Sequence, residues 1–253
     1  MIKSIFQVKE VELIFYKKSS LLRIIGVTIL MFFSHFLSAQ GDYISFSIGP
    51  SMIYGDNSGV YRDFKFQIQP AATLTFNRQI NEFVGLRGSI GGQMINSGEY
   101  DNIYTRKNIN TGNQDQAFRY RGTSYFADFT PVFTTNPNAA GKIASAVQFY
   151  IGLGLGAMYV FRDEEILKNG RLLGGIVEGE IVATSDSNFI PYIPIRTGVS
   201  TNLSGNWDFA LEFVLMATIN SELDGNNLKD KSLSPDMTGQ IQFVVKRYFG
   251  QAW

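Results

Sequence analysis

Eight segments between Tyr43 and Phe249 place an apolar side chain at every second position, with small or polar residues between. Successive side chains of a strand point to opposite faces, so each such segment makes a two-faced strand. In the first, Tyr43–Tyr54, Ile44, Phe46 and Ile48 share one face while Ser45, Ser47, Gly49 and Ser51 share the other. The others are Phe66–Phe76, Phe83–Met94, Thr123–Phe133, Val147–Val160, Phe189–Thr201, Trp207–Ile219 and Met237–Phe249. Few folds use eight strands of this kind.

The connections alternate in length. Those at 55–65, 95–122, 161–188 and 220–236 are the longer set on average, and those at 77–82, 134–146 and 202–206 the shorter. Outer-membrane barrels join antiparallel strands with long outer loops and short periplasmic turns, which predicts an eight-stranded antiparallel up-and-down transmembrane β-barrel. A secreted β-sandwich or a lipocalin-type cup is the competing architecture. Against it, the face opposite the apolar one is often glycine or serine, as in Gly152-Leu153-Gly154-Leu155-Gly156, and suits a narrow lumen better than a solvated surface. Aromatics near the strand ends, among them Phe66, Phe76, Tyr125, Phe133, Trp207 and Phe249, fit interfacial girdles. Pro70, Pro131, Pro191 and Pro194 lack a strand donor and are expected at bulges or strand ends.

Charged residues make up 17% of the chain and aromatics 14%, a surface unlike that of a soluble domain. Lys17, Lys18 and Arg23 precede the apolar run Ile24–Leu37 and the small-residue end Ser38-Ala39-Gln40, the order of a cleavable signal peptide. That run is shorter than the ~20 residues that span a bilayer. Residues 1–40 are thus expected to be removed near Ala39 or Gln40, leaving a barrel domain of residues 41–253 in the outer membrane of a Gram-negative bacterium. The leader ahead of the basic cluster, Met1–Tyr16, is unusually long.

The mature chain keeps 17 basic and 20 acidic residues, which offers no basic footprint for nucleic acid. It has no cysteine and, once His35 is removed, no histidine. Thiol chemistry and thiolate metal sites are excluded. Lipid A deacylases, palmitoyl transferases, outer-membrane phospholipases and omptin proteases share the architecture but depend on a catalytic histidine. No catalytic residue and no cofactor are assigned. Asp163-Glu164-Glu165 reads as a solvated turn. Asp224-Gly225-Asn226-Asn227, with Asp230, offers oxygen atoms to calcium but reads more simply as a polar turn, so no metal site is assigned either.

The inward-facing charges are Arg87, Asp128, Arg196, Asp208, Glu212 and Lys246. Strand adjacency predicts that Arg87 meets Asp128 and that Arg196, Glu212 and Lys246 come together. An eight-stranded barrel has room only for side chains, so these charges are expected to form a paired plug rather than a selective constriction. The long loops mix Tyr100, Tyr104, Arg106, Lys107, Phe118, Arg119, Tyr120 and Arg121, a composition of recognition surfaces, and Leu172–Ala183 alternates loosely enough for an extra hairpin.

The stretches Ile193-Pro194-Ile195-Arg196-Thr197-Gly198-Val199, Gly205–Phe213 and Ala217–Gly225 resemble the PorG-type outer-membrane proteins of the type IX secretion system. Those proteins carry an "IPFGxGxK" strand, a "W-x-(I/L)-x-LE" strand and an "R-x-T-x-T-D-Y-L-D" loop. Leu86-Arg87-Gly88 and Tyr54-Gly55-Asp56 are similar to further elements of that family. The chain departs from it at Asn220-Ser221-Glu222-Leu223 and at Thr197. The aromatic-ended last strand, with Tyr248 and Phe249, resembles the signal by which the barrel-assembly machinery takes its clients. The resemblance implies a non-enzymatic secretion component embedded in outer-membrane lipid. It would contact a periplasmic ring lipoprotein and its partner through Asn77–Glu82, Thr134–Ala146 or Asn202–Asn206. A small passive porin, or an adhesin or receptor using the long loops, are the alternatives.

Overall fold

Serine and glycine between Ile44, Phe46 and Ile48 give β1 (Tyr43–Tyr54) an inner edge narrow enough to line a tube and an outer one of bare hydrocarbon. The computed structural model describes residues 41–57, 66–99, 105–106, 109–110, 117–135, 146–201, 203, 206–220, 222–226 and 235–249. The expected signal peptide, along with Tyr100, Tyr104, Lys107, Asn227 and Asp230, lies outside them. The other strands are β2 (Gln69–Gln79), β3 (Val84–Asn96), β4 (Ala117–Thr134), β5 (Val147–Leu153), β6 (Leu155–Leu173), β7 (Ile176–Thr201), β8 (Trp207–Thr218) and β9 (Met237–Tyr248).

Every pairing is antiparallel, and the order β3-β2-β1-β9-β8-β7-β5-β4 is closed by β3 on β4. The first and last strands form the seam, with Tyr43 opposite Tyr248 and Tyr54 opposite Met237. β5 and β6 share one register on both neighbours and make a single wall of an eight-walled barrel. Their break is at Gly154, opposite Pro194. The Gly154 N–H donates to the Pro194 carbonyl at 3.1 Å, but proline has no N–H to return.

Two of the four prolines therefore do not act as expected. No register shift accompanies Pro191 or Pro194, and both stay inside β7. Pro191 sits one residue beyond the last rung shared with β8, where its carbonyl accepts from the Ile219 N–H at 3.0 Å. Pro70 opens β2 and Pro131 lies near the end of β4, as expected of ladder-poor positions.

Three boundaries differ from the expected ones. β2 begins at Gln69 and runs to Gln79 rather than covering Phe66–Phe76, because Asn81 sets the turn one step later. Its side-chain oxygen accepts the N–H groups of Phe83 and Val84, both at 2.9 Å. Phe66 lies ahead of the strand and so is not a girdle residue within it. β4 starts at Ala117, six residues before Thr123, because buried Phe118 and Tyr120 keep it packed.

The third difference concerns residues 161–188. They do not form a loop but a two-stranded ribbon in which β6 and β7 continue past the barrel rim. Gly174 and Gly175, at φ +57° and +85°, form the tight turn between Leu173 and Ile176. Asn169, at φ +54°, marks a bulge between Lys168 and Arg171. Asp163-Glu164-Glu165 is consequently part of β6 and not a turn; Glu164 is buried against Arg162 while Glu165 reaches Arg119.

The outer surface carries Phe46, Ile48, Leu74, Ile90, Phe129, Phe149, Leu153, Leu211 and Phe243, all exposed, and Leu155 is 72% exposed. Trp207, Phe209 and Phe133 stand near the short-turn end, and Tyr125, Tyr159, Phe161 and Phe189 near the other. Among the described residues no helix is long and apolar enough to cross a membrane, which says nothing of strands.

Candidate functional site

The interior is filled in three levels. Nearest the short turns, Arg87 of β3 and Glu212 of β8 come from opposite walls and meet at 2.5 Å. Glu212 is also reached by Arg196 of β7 at 2.9 Å and by the Tyr150 hydroxyl at 2.8 Å. Arg196 uses its other terminal nitrogen on Asp128 of β4 at 2.7 Å. Tyr192 and Thr130 donate their hydroxyls to Asp128 at 2.9 and 3.1 Å. Arg87 donates to the Tyr43 hydroxyl at 2.7 Å and lies over the Tyr150 ring, 4.8 Å from its centre. All four charged groups are buried. Burial at this depth is tolerable because each charge faces an opposite one through a short hydrogen bond.

Strand adjacency holds for Arg196 with Glu212 but not for Arg87 with Asp128. Arg87 pairs with Glu212, and Asp128 pairs with Arg196. In register, Arg87 lies opposite Thr130 while Asp128 lies opposite Ser89, so the two sit on different rungs. The long guanidinium crosses the lumen instead. Lys246 also departs from the expectation: its ammonium donates to Ser200 at 2.8 Å and faces the rings of Tyr43 and Tyr150 at 5.2 and 5.0 Å. Asp208 accepts from Thr201 Oγ1 at 3.0 Å and from the Leu203 N–H at 2.8 Å, and Tyr248 hydrogen-bonds to it. It belongs to the rim rather than to the central network.

The space left between Tyr43, Arg87, Tyr150 and Lys246 is about 10 Å³. That is no more than a single water needs. Tyr248 turns its ring inward against Tyr43, the centroids 5.2 Å apart, while the Phe249 ring points out and its N–H donates to the Asp42 carbonyl at 2.8 Å. The last two aromatics of the barrel thus close the seam at its lower end.

Above the charges lies an amide level. Gln242 donates to Thr73 at 2.9 Å and to Gln240 at 2.6 Å, and accepts from Ser47 at 2.7 Å. Gln240 and Thr238 both donate to Gln93, at 2.6 and 3.0 Å. Every second residue of Thr238–Gln242 is an inward hydrogen-bonding group, a signal visible in the alternation but not in which partner each would find.

The upper level contradicts a uniformly small and polar inner face. Ile53, Ile95, Phe126, Met158, Val160, Ile190, Val214 and Met216 are buried together inside the barrel. Leu223, fully buried, completes this core from the connection between β8 and β9. Its N–H donates to Asp236 at 2.9 Å, and its carbonyl and that of Glu222 accept from Arg162 at 3.3 and 3.2 Å. Asn57 and Asn226 both donate to the Ala117 carbonyl at 3.0 Å, and the Asn57 N–H donates to Asp224 at 2.7 Å. Residues Glu222–Asn226 thereby stopper the upper mouth. Asp224 of this stopper, Asp56 and Asp236 bring carboxylate oxygens within 4.8 Å of one another. The backbone amides of Asn57, Leu223 and Asn226 hold two of them as a polar turn would.

A recess of about 1180 Å³ lies at the upper end, lined among others by Gln67, Arg119, Arg121, Asp163, Glu165 and Ser185. Its opposite charges are interleaved, and Arg119 is already paired with Glu165.

No protein-family model matches the chain, and no curated protein does. Among solved structures it is similar to Ail, the attachment invasion locus protein of Yersinia pestis, at 14% identity and TM-score 0.43, covering 82% of this chain and 97% of that one. Neisserial surface protein A aligns at 12% identity and TM-score 0.44 over 83% and 97% of the two chains. A major outer membrane protein from Thermus thermophilus aligns at 8% identity and TM-score 0.46 over 83% and 100%.

Proposed function

We propose that this protein is a non-enzymatic, non-conducting outer-membrane β-barrel that serves as a structural or assembly component of a protein secretion system of the PorG-like, type IX kind. The observation that carries the reading is a closed barrel, apolar outside and sealed inside. Its outward aliphatic and aromatic belt exceeds the few hundred Å² of apolar patch that a water-exposed surface tolerates, and suits the ~25 Å apolar band of a barrel in lipid. Its interior has charges paired across the lumen below and a packed core above, which favours a scaffold over a passage.

The secretion assignment is supported by the residues that carry the resemblance. Arg87, Arg196 and Glu212 are members of the ion network, and Ala217–Gly225 leads into the stopper. The exposed short turn around Asn81 is the described part of the surface left for a periplasmic partner. Thr134–Ala146 and Asn202–Asn206 fall mostly outside the described residues. Affinity purification of the tagged mature chain from native outer membranes tests the reading. It is expected to recover periplasmic ring proteins, and recovery of the barrel alone would overturn it.

A second reading, an adhesin or receptor, is favoured by the β6–β7 ribbon that projects beyond the rim. Removing Ile166–Val182 from the ribbon and measuring surface binding separates the two, because a secretion scaffold working through its short turns keeps its partners after that deletion.

A further inference from the structure

The ribbon has one edge covered and one open. Through the pair Ala117 and Ile166, β6 is flanked by β4, and nearer the tip Arg106 donates to the Gly175 carbonyl. On the other side, β7 pairs with β8 only as far as Tyr192 opposite Thr218, with one further bond from Ile219 to Pro191. Among the described residues, no strand lies on this side of β7 from Ile190 to its tip.

Two hydrogen bonds fix which backbone groups face that open side. The Pro194 carbonyl is directed at β5 and β6, where it meets Gly154, and the Pro191 carbonyl is directed at β8, where it meets Ile219. A residue's N–H and C=O point to the same side of an antiparallel strand, and successive residues alternate. Pairing with β6 then runs without a register shift from Tyr192 to Glu180. It follows that Ile181, Ala183, Ser185, Ser187 and Phe189 direct both backbone groups to the open edge. Natural edges are blunted by lysine, proline or a bulge. Between Ile181 and Ile190 this one has no lysine, proline or bulge, its one charge being Asp186, held by Arg162, and the ribbon's bulge lies nearer the tip.

We propose that this edge of β7 takes up an extended segment of another protein as an additional strand, and that the segment alternates basic with apolar side chains. The chemistry follows from the two faces. One presents Glu180, exposed, and beside it Glu178 and Asp186, exposed but shared with Arg171 at 3.4 Å and Arg162 at 3.0 Å. The other presents Ile181, 61% exposed, and Phe189, 67% exposed. A neighbouring strand with lysine or arginine opposite the carboxylates and aliphatic side chains opposite the apolar pair gains on both. A second copy is the poorer occupant. Antiparallel self-pairing centred on Ala183 would set Glu180 against Asp186 at each end, and like charges directly opposite destabilise a sheet.

The test uses the full barrel in maltoside micelles and a labelled peptide of about twelve residues alternating lysine and valine, followed by fluorescence anisotropy. Saturable binding is expected. Methylating alternate backbone nitrogens of the peptide keeps its charge but removes its strand donors, and is expected to weaken binding at least about tenfold. Ala183→Pro removes an outward N–H while leaving the rungs to β6 intact, and is expected to weaken binding by several-fold, on the order of one lost hydrogen bond. Glu180→Lys is expected to weaken it as well. Three results would each overturn the proposal: no saturable binding, a methylated peptide that binds within about twofold of the parent, or peptide-independent dimers crosslinked through Ser185→Cys.

Discussion

Arg87 and Glu212 reach each other across the full width of the barrel, from walls separated by three strands in one direction. Glu212 is the hub of the network, since Arg87, Arg196 and Tyr150 all converge on its two oxygens. Replacing it by alanine leaves two buried guanidinium groups with half their compensation. Glu212→Ala is expected to destabilise the folded barrel by about 3–5 kcal/mol. Urea unfolding in micelles, read by the gel mobility of the folded form, checks this. A change under about 1 kcal/mol would mean the pair behaves as a surface ion pair.

Closure is present twice along the lumen, once as paired charges and once as an apolar core. The intact protein is therefore expected to show no reproducible conductance in planar bilayers. Arg87→Ala combined with Glu212→Ala is expected to stay silent too, because Phe126, Met158, Ile190 and Met216 still fill the upper half. Steady steps from the double variant would place the only seal at the charges.

At Gly154 the wall has no room for a side chain. A Cβ there would lie 2.2 Å from the Phe129 carbonyl oxygen and 2.6 Å from Thr130 Oγ1. Gly154→Ala must displace backbone and is expected to lose about 1–3 kcal/mol. The opposite change, Pro194→Val, returns the missing donor and is expected to protect the new amide from hydrogen exchange. If the amide introduced by Pro194→Val exchanged without protection, the break between β5 and β6 would have a cause other than proline.

Leu223 is the apolar tip of the stopper. Leu223→Ala is expected to cost about 2–5 kcal/mol of local stability, and to make residues 220–226 protease-sensitive while the barrel's gel mobility persists. Unchanged proteolysis would mean that Asp236, Arg162 and Ala117 hold the segment without it.

How much of this was legible depends on the range of the interaction concerned. The alternation in β1, β8 and β9 exposed two faces directly, because one face meets small or polar neighbours along most of the strand. The glycine run around Gly154 likewise read as wall, and its interruption follows from a proline far along the chain, Pro194. Arg87 and Glu212 could be assigned to the lumen but not to each other. Their meeting depends on the stagger of the strands around the ring, a property of closure that no single segment encodes. The ribbon did carry a local sign, Gly174-Gly175 between Leu172-Leu173 and Ile176-Val177, the pattern of a tight hairpin turn. The upper core stayed hidden because Met158, Val160, Ile190, Val214 and Met216 lie near apolar outward residues, so alternation fades where both faces are apolar.

That fading has a consequence for how the protein comes into being. In the upper half the wall separates one oily environment from another, and neither exists for a chain still emerging into water. The inner core is assembled from β1, β3, β4, β6, β7, β8 and the stopper, contributors spread around the whole circumference. An unclosed sheet would present Val214 and Met216 on one side and Leu215 and Phe213 on the other, wet on both. Only when β1 pairs with β9 does the ring close and the inner of these two faces leave water.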